Sequence, residues 1–165
     1  MAAFALAAFA SQGAHAGEWD YSASRDKMTG KVSALASISS ENSLDLEAPF
    51  EVKYGLNRGT LYVSKSSVSL AVYKGIMNCS PFGAGCVVQA KFDDGPVRQF
   101  AARGDSDGDT SWLHIRPSTN FLQHLGKANQ VMIRFSMFRD GTQTLEFRSE
   151  EKFSASKLST TQPTE

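Results

Sequence analysis

Apolar and polar residues alternate with a period of two along most of the chain. The clearest runs are residues 131–137, which carry Val, Ile, Phe and Met at every second position, and residues 32–38. Shorter runs follow the same rule at 61–63, 68–72, 87–92, 97–100 and 112–115. Because successive side chains of a strand point to opposite faces, this pattern predicts strands with one buried face. Many short strands predict an all-β fold, either an antiparallel β-sandwich or a half-open barrel.

Residues 117–129 interrupt the alternation. Their apolar side chains fall at helical spacing: Phe121, Leu122, Leu125 and Ala128. Ser118, Thr119 and Asn120 are all suitable N-caps, and Gln123 follows Asn120 as in a capping box. We therefore predict one short α-helix over about residues 119–128, packed on the sheet. C-terminal to this helix, the Asp140-Gly141 pair lies between two alternating runs and predicts a β-hairpin.

Both ends of the chain differ from the middle. Residues 1–10 read MAAFALAAFA, and Ala14-His15-Ala16 is a small-x-small triplet of the kind that signal peptidase cleaves. We interpret residues 1–16 as a secretory signal peptide, cleaved after Ala16. Residues 17–153 form the predicted β domain. Residues 154–165 are almost entirely polar, so we predict a disordered tail there.

Composition narrows the classes of partner. Lys and Arg number 17, Asp and Glu also number 17, and the formal net charge is zero. An evenly mixed neutral chain has no broad attraction for nucleic acid or for an anionic membrane, so we expect neither partner. After the signal there is no apolar run of the roughly 18 residues that a membrane helix needs. We expect a monomer that needs no cofactor and works in the periplasm or outside the cell.

The two cysteines, Cys79 and Cys86, enclose six residues of turn character. An even count in an exported chain favours a disulfide, and we predict a hairpin that this bond closes. The alternatives are a redox pair or half of a metal site, although the spacing is not CxxC. Phe82, the apolar side chain at the tip of the loop, is a candidate contact residue.

Residues 103–110 contain two further candidate sites. Asp105, Asp107 and Asp109 alternate as calcium ligands do, but Thr110 and Arg116 stand where an EF-hand loop requires Gly and Glu. We therefore interpret the segment as a solvated acidic loop, with a calcium site as the alternative.

The same segment contains Arg103-Gly104-Asp105, an integrin-type tripeptide on a loop that we expect to be exposed. Arg103, Gly104 and Asp105 are therefore candidate contact residues for an adhesion partner. A tripeptide also arises by chance in chains of this length.

Catalytic chemistry has little support in the sequence. After the signal, His114 and His124 are the only histidines, and neither lies in a GxSxG, HExxH or CxxC motif. We assign no catalytic residues. The aromatic residues are expected to fill the core, with one or two at the rim of a glycan or peptide groove: Trp19, Tyr21, Tyr54, Tyr62, Tyr73 and Trp112.

Several segments together resemble a family of small exported proteins of Gram-negative bacteria and their prophages. They are Trp19, 26–30, 40–43, 61–63, Cys79, Cys86, 91–97, 121–128 and 144–147. In order and spacing they are distantly similar to periplasmic accessory proteins of type VI secretion, the VasI/TagO-like group. The resemblance implies export, an all-β fold and no established catalytic activity.

The sequence therefore predicts a non-enzymatic periplasmic or secreted binding or accessory protein that acts on a protein or cell-envelope partner. The alternative is an envelope hydrolase or a glycan- or peptide-binding enzyme whose site is assembled from distant residues. A cleft that brings His114 or His124 together with a carboxylate and an aromatic wall would favour the alternative.

Overall fold

The described residues of the computed structural model, 17–52 and 57–163, contain nine β-strands and two short helices. The strands are β1 (Asp20–Arg25), β2 (Val32–Ser43), β3 (Arg58–Val63), β4 (Val68–Val72), β5 (Cys86–Phe92), β6 (Arg98–Gly104), β7 (Trp112–Arg116), β8 (Gln130–Met137) and β9 (Gly141–Arg148). The helices are α1 (Ser118–Leu125) and α2 (Lys157–Thr160). The proposed signal peptide, Tyr54 and the last two residues of the tail lie outside the described residues.

The nine strands form one antiparallel sheet in the order β1-β2-β3-β4-β7-β6-β5-β8-β9. The sheet curves until β2 lies beside β9. Asn42 joins these two strands, because its Nδ2 donates to the Thr144 carbonyl (2.9 Å) and its Oδ1 accepts from the Glu146 N–H (2.8 Å). The side-chain amide of Asn42 thus makes the two hydrogen bonds to β9 that a backbone peptide group of a paired strand would make. The prediction of an all-β fold is confirmed, and the sheet has the shape of a half-open barrel.

The interior of the barrel follows the alternation in the sequence. In β8 the inward residues are fully buried while those between them are partly or fully exposed, and β5, β6 and β7 behave alike. The end of the barrel beside α1 is filled by Phe121, whose ring centroid lies 5.1 Å from those of Phe92 and Phe100. Full burial of such a side chain contributes about 1.5–3 kcal/mol to folding, so α1 is held by its apolar face.

The predicted helix exists, but it begins and ends earlier than expected. It runs from Ser118 to Leu125, and its N-cap is Pro117, without a side-chain capping hydrogen bond. The proposed capping box at Asn120 is therefore wrong. The Ser118 hydroxyl instead donates to the carbonyl of Ser66 (2.6 Å), in the turn between β3 and β4. This hydrogen bond joins the start of α1 to that turn but caps none of the helix N–H groups, because the hydroxyl acts as the donor.

The predicted disulfide is confirmed, with 5.0 Å between the two Cα atoms, but the predicted hairpin around it is wrong. Strands β4 and β5 are separated by β7 and β6 in the sheet, so residues 73–85 cross one end of the barrel. This crossing segment pairs with neither flanking strand. The Asn78 N–H donates to the Ser136 carbonyl (2.9 Å), and the Gly104 N–H donates to the Ser80 carbonyl (3.1 Å). The ends of β8 and β6 satisfy its backbone instead.

The prediction of a disordered tail from residue 154 is wrong for its first part. Residues 157–160 form α2, whose Leu158 is 2% exposed, and α2 packs beside β1 and β2. The Ser154 N–H donates to the Tyr21 hydroxyl (2.9 Å), and Phe153 packs 5.2 Å from Trp19 between ring centroids. One leucine is enough to dock a polar segment when the sheet leaves an apolar recess for it.

Among the described residues, no helix has both the length and the apolar character needed to cross a membrane.

Candidate functional site

Polar and aromatic side chains lie together on the outer surface of four adjacent strands, β3, β4, β7 and β6. His114 in β7 is paired with Ser69 of β4 on one side and with Arg103 of β6 on the other. Ser69 is paired in turn with Tyr62 of β3. Because outward positions recur every two residues, Trp112 and Arg116 lie on the same surface as His114. We call this surface the His114 face: Tyr62, Ser69, Arg103, Trp112, His114 and Arg116.

Two aromatic rings are stacked on the His114 face. The centroids of Tyr62 and Trp112 are 5.0 Å apart, with 22° between the ring planes. The rings come from β3 and β7, and the residues of the intervening strand paired with them are Ser69 and Ala71. These are small side chains, and each is 9% exposed although it is on the outer face. The rings therefore meet over β4, where a larger residue would keep them apart.

His114 is held from two sides. Its Nδ1 lies 2.8 Å from the Ser69 hydroxyl oxygen, within hydrogen-bond distance. Its Nε2 lies 3.8 Å from Oδ1 of Asp105, which is too far for a hydrogen bond but close enough for an ion pair with a protonated ring. The side chains of His114 and Asp105 are 34% and 27% exposed, respectively. The imidazole is therefore oriented by the sheet and still reached by solvent.

A groove of about 440 Å³ adjoins the His114 face at its Arg116 end. Its walls carry two basic side chains, His114 and Arg116, and four hydroxyls. The hydroxyls belong to Ser66, Ser67, Ser118 and Thr119. We call it the Arg116 groove. Hydroxyl and guanidinium groups at an open groove can bind a polar ligand by several hydrogen bonds at once.

Charge is unevenly distributed over the barrel, in contrast to the even mixture that the sequence indicates. The four adjacent strands β7, β6, β5 and β8 contain no Asp or Glu. Their outward basic residues are Lys91, Arg103, Arg116 and Arg134, whereas Arg98 lies on the same side of β6 as the buried Phe100 and Ala102. These four strands are consecutive in the chain, and their surface is cationic because the acidic residues of this segment lie in the loops between the strands. This surface attracts anions even though the whole chain has no net charge.

The acidic loop does not gather its carboxylates around one point. Asp105 lies beside His114 and also accepts the N–H of Asp107 (3.4 Å). Asp109 instead accepts from the N–H and the hydroxyl of Ser111 (2.9 and 2.6 Å), and these hydrogen bonds lower the pKa of Asp109. Over residues 17–52 and 57–163, no group of three or more His, Cys, Asp or Glu side chains is placed to hold a metal ion.

The expectation of an exposed Arg103-Gly104-Asp105 loop is wrong. Arg103 and Gly104 are the last two residues of β6, and Gly104 is buried. A β-carbon at Gly104 would collide with the carbonyl oxygen of Cys79 in the crossing segment. An inward glycine cannot present an adhesion tripeptide, so Arg103 is part of the His114 face instead.

The other candidate residues lie away from the His114 face. Phe82 is 75% exposed in the disulfide-closed loop, and two more exposed rings, Tyr73 (69%) and Phe138 (52%), belong to loops at the same end of the barrel. His124 packs against Phe92 with 5.3 Å between ring centroids. Burial lowers the pKa of His124, and the nearby charges of Arg98 and Lys127 lower it further. The two histidines therefore do not share a site.

Sequence reasoning missed Ser69, Arg116 and the pairing of Tyr62 with Trp112. The spacing of Trp112, His114 and Arg116, each two residues from the next, is the signal that could have placed them on one face. The order β3-β4-β7-β6 could not be predicted, and this order places Ser69 between Tyr62 and His114.

Comparison of the chain with models of protein families, with curated proteins and with solved structures gave no match.

Proposed function

We propose that this protein is a non-enzymatic binding or accessory protein of the periplasm or the extracellular space, and that it holds a protein or cell-envelope partner on the His114 face. The observation that carries the proposal is the stacked pair Tyr62 and Trp112, half-buried on an outer sheet surface beside an oriented histidine. Large aromatic side chains with polar neighbours dominate the binding energy of many interfaces. Here the rings are held by the sheet, so little conformational entropy is lost when a partner binds.

Three further features agree with export and a binding role. The disulfide is of the kind that persists in oxidising compartments. The proposed signal peptide at residues 1–16 would deliver the chain to such a compartment. The resemblance to small exported proteins, and more distantly to the VasI/TagO-like accessory proteins, supports a partner in the bacterial envelope.

Co-sedimentation with isolated Gram-negative cell envelope tests this function. The wild-type protein should sediment with the envelope, and Trp112→Leu should bind about tenfold or more weakly, because Leu keeps apolar bulk beside Ala71 but removes the flat ring. Phe138→Leu, at an exposed ring that follows β8, is the matched control and should bind as the wild type does. Equal binding by the wild type and Trp112→Leu, or no binding by the wild type, would contradict the proposal.

Hydrolysis is the second candidate function, because Ser69, His114 and Asp105 bring together a hydroxyl, an imidazole and a carboxylate beside an aromatic wall. Two observations weigh against it. Ser69 is 9% exposed beneath the ring pair, which blocks approach to its hydroxyl. It also lies in the middle of β4, between two paired strands, where backbone N–H groups serve the sheet and do not stabilise an oxyanion.

A fluorophosphonate probe separates the two candidates. We expect no covalent labelling of the wild-type protein and no release of sugars or peptides from the envelope. Labelling that disappears in Ser69→Ala, together with envelope hydrolysis, would establish an enzyme and overturn the non-enzymatic proposal.

A further inference from the structure

We propose that the ligand of the His114 face is a short chain of sugars that carries an anionic group, bound with one ring against Trp112 and an anionic group of a following sugar in the Arg116 groove. This inference rests on the proposed function and deepens it by naming the chemical class of the ligand.

The aromatic pair fits a ring-shaped ligand with an apolar side. Trp112 and Tyr62 are half-buried, so each ring keeps part of its surface in solvent while its stacking partner holds it in place. Binding against a ring that is already ordered costs little side-chain entropy. A sugar ring has C–H groups on its faces and hydroxyls at its edge, and it can therefore contact Trp112 while its hydroxyls stay hydrogen-bonded.

The hydroxyl groups lie at the Arg116 end of the face, where the later sugars of such a chain would need partners. Ser66, Ser67, Ser118 and Thr119 line the Arg116 groove with His114. Along β7, Trp112 and Arg116 are four residues apart, which is about 13 Å at the rise of an extended strand. The Ser118 hydroxyl donates to the Ser66 carbonyl and so still offers its oxygen as an acceptor. A ligand lying along β7 could therefore contact the Trp112 ring at one end and the hydroxyls of the Arg116 groove at the other.

The charges favour an anion at the Arg116 end of this line. Arg103 and Arg116 are exposed and flank His114 on the outer surface of four strands that have no acidic residues. Asp105 is the carboxylate that faces His114, and it lies toward Trp112, with Asp107 and Asp109 following in the same loop. The face therefore runs from acidic at Trp112 to basic at Arg116. This polarity orients a ligand whose charge is at one end, since guanidinium groups bind carboxylate and phosphate in a two-pronged geometry.

Calorimetric titration with matched pairs of sugars tests the inference on the full-length purified protein. The acidic probes are trigalacturonate, a hyaluronan tetrasaccharide and the disaccharide N-acetylglucosaminyl-N-acetylmuramic acid. Their neutral counterparts are methyl-esterified trigalacturonate, chitotetraose and chitobiose. We expect at least one acidic probe to bind tenfold or more tightly than its counterpart, with an affinity that falls as salt rises.

Variants locate the bound sugar. Arg116→Gln should weaken the acidic probe about tenfold, because it removes a charge-assisted contact in the groove. Arg103→Gln should weaken it less, because Arg103 is paired with His114 and lies outside the groove. Arg134→Gln, on β8, removes the same charge away from the groove and should bind as the wild type does. Trp112→Leu should weaken acidic and neutral probes by the same factor. Thermal melts confirm that each variant is folded, and Arg116→Lys provides a second variant that retains the charge.

Each other outcome has one meaning. If the neutral counterparts bind as tightly as the acidic probes, the anionic part of the inference is wrong. Inorganic polyphosphate is the probe for charge alone. If it displaces the sugar and its own affinity is unchanged in Trp112→Leu, the site recognises only negative charge, and the assignment of a sugar ligand is wrong. If none of the six sugars binds while envelope sedimentation still depends on Trp112, this inference fails and the proposed binding function stands. If sedimentation does not depend on Trp112 either, both fail.

Discussion

The His114 face and the disulfide-closed end of the barrel both expose aromatic side chains, but they support them differently. On the His114 face, Tyr62 and Trp112 stand on paired strands and stack on each other. At the other region, Phe82 and Tyr73 stand on the crossing segment, whose path depends on a disulfide and on a few backbone hydrogen bonds to β6 and β8.

This difference shows that exposure alone does not make a binding surface. Phe82 is the more exposed ring, yet its position is restrained by the loop, whereas Trp112 is restrained by the sheet and by a ring partner. A ring that is already ordered before binding loses less entropy on contact. Substitutions in one region, with stability and binding measured for the other, therefore distinguish the roles of the two regions.

The largest effect is expected at Gly104, where the two regions touch. Gly104→Val places side-chain atoms against the Cys79 carbonyl, so the crossing segment must move or β6 must bend. We expect a loss of about 3 kcal/mol or more in the free energy of unfolding, measured by urea denaturation. Gly126→Ala is the control, because its nearest non-neighbouring atom would be 3.5 Å away and its φ is −66°. A Gly104→Val protein as stable as the wild type would show that the two regions are not packed together.

Replacing both Cys79 and Cys86 by Ser should affect one region alone. The chain-entropy model predicts a loss of about 2–2.5 kcal/mol in the free energy of unfolding for so short a loop. The tryptophan fluorescence spectrum and any ligand affinity of the His114 face should stay at wild-type values, since β3, β4 and β7 do not pass through the disulfide. Loss of binding in the folded double variant would mean that the crossing segment forms part of the site.

Ser69→Ala makes the reciprocal change on the His114 face. It removes the hydroxyl beside Nδ1 of His114 and should lower the free energy of unfolding by about 1 kcal/mol. The ring of His114 should become mobile, which histidine side-chain NMR signals can report, while the crossing segment keeps its hydrogen-exchange protection. Ser136→Ala, an exposed serine of β8, is the control and should leave the His114 signals unchanged. Unchanged His114 signals in Ser69→Ala would contradict the proposed orientation.

Phe82→Ala should have the smallest effect. With 75% of the residue exposed, its loss should change the free energy of unfolding by less than about 0.5 kcal/mol. Envelope binding should stay within a factor of two of wild type if the His114 face is the site. A tenfold loss of binding would instead support the contact role that the sequence proposes for Phe82.

The sequence by itself determined the features that depend on the spacing of nearby residues. Alternation predicted the strands and their inward residues, helical spacing predicted a helix around Phe121, and two cysteines with a turn-forming spacer predicted their disulfide. Each of these depends on residues close together in the chain, where the geometry of strands, helices and turns is the same in every protein.

The order of the strands was decided by the tertiary structure alone. The crossing of residues 73–85 over the barrel end, the docking of Leu158 and the burial of Gly104 all depend on contacts between residues far apart in the chain. So does the His114 face, since Tyr62, Ser69 and His114 come from three strands that the sequence does not place side by side. Many strand orders satisfy one alternation pattern, and the order adopted depends on how the whole set of inward side chains fills the interior.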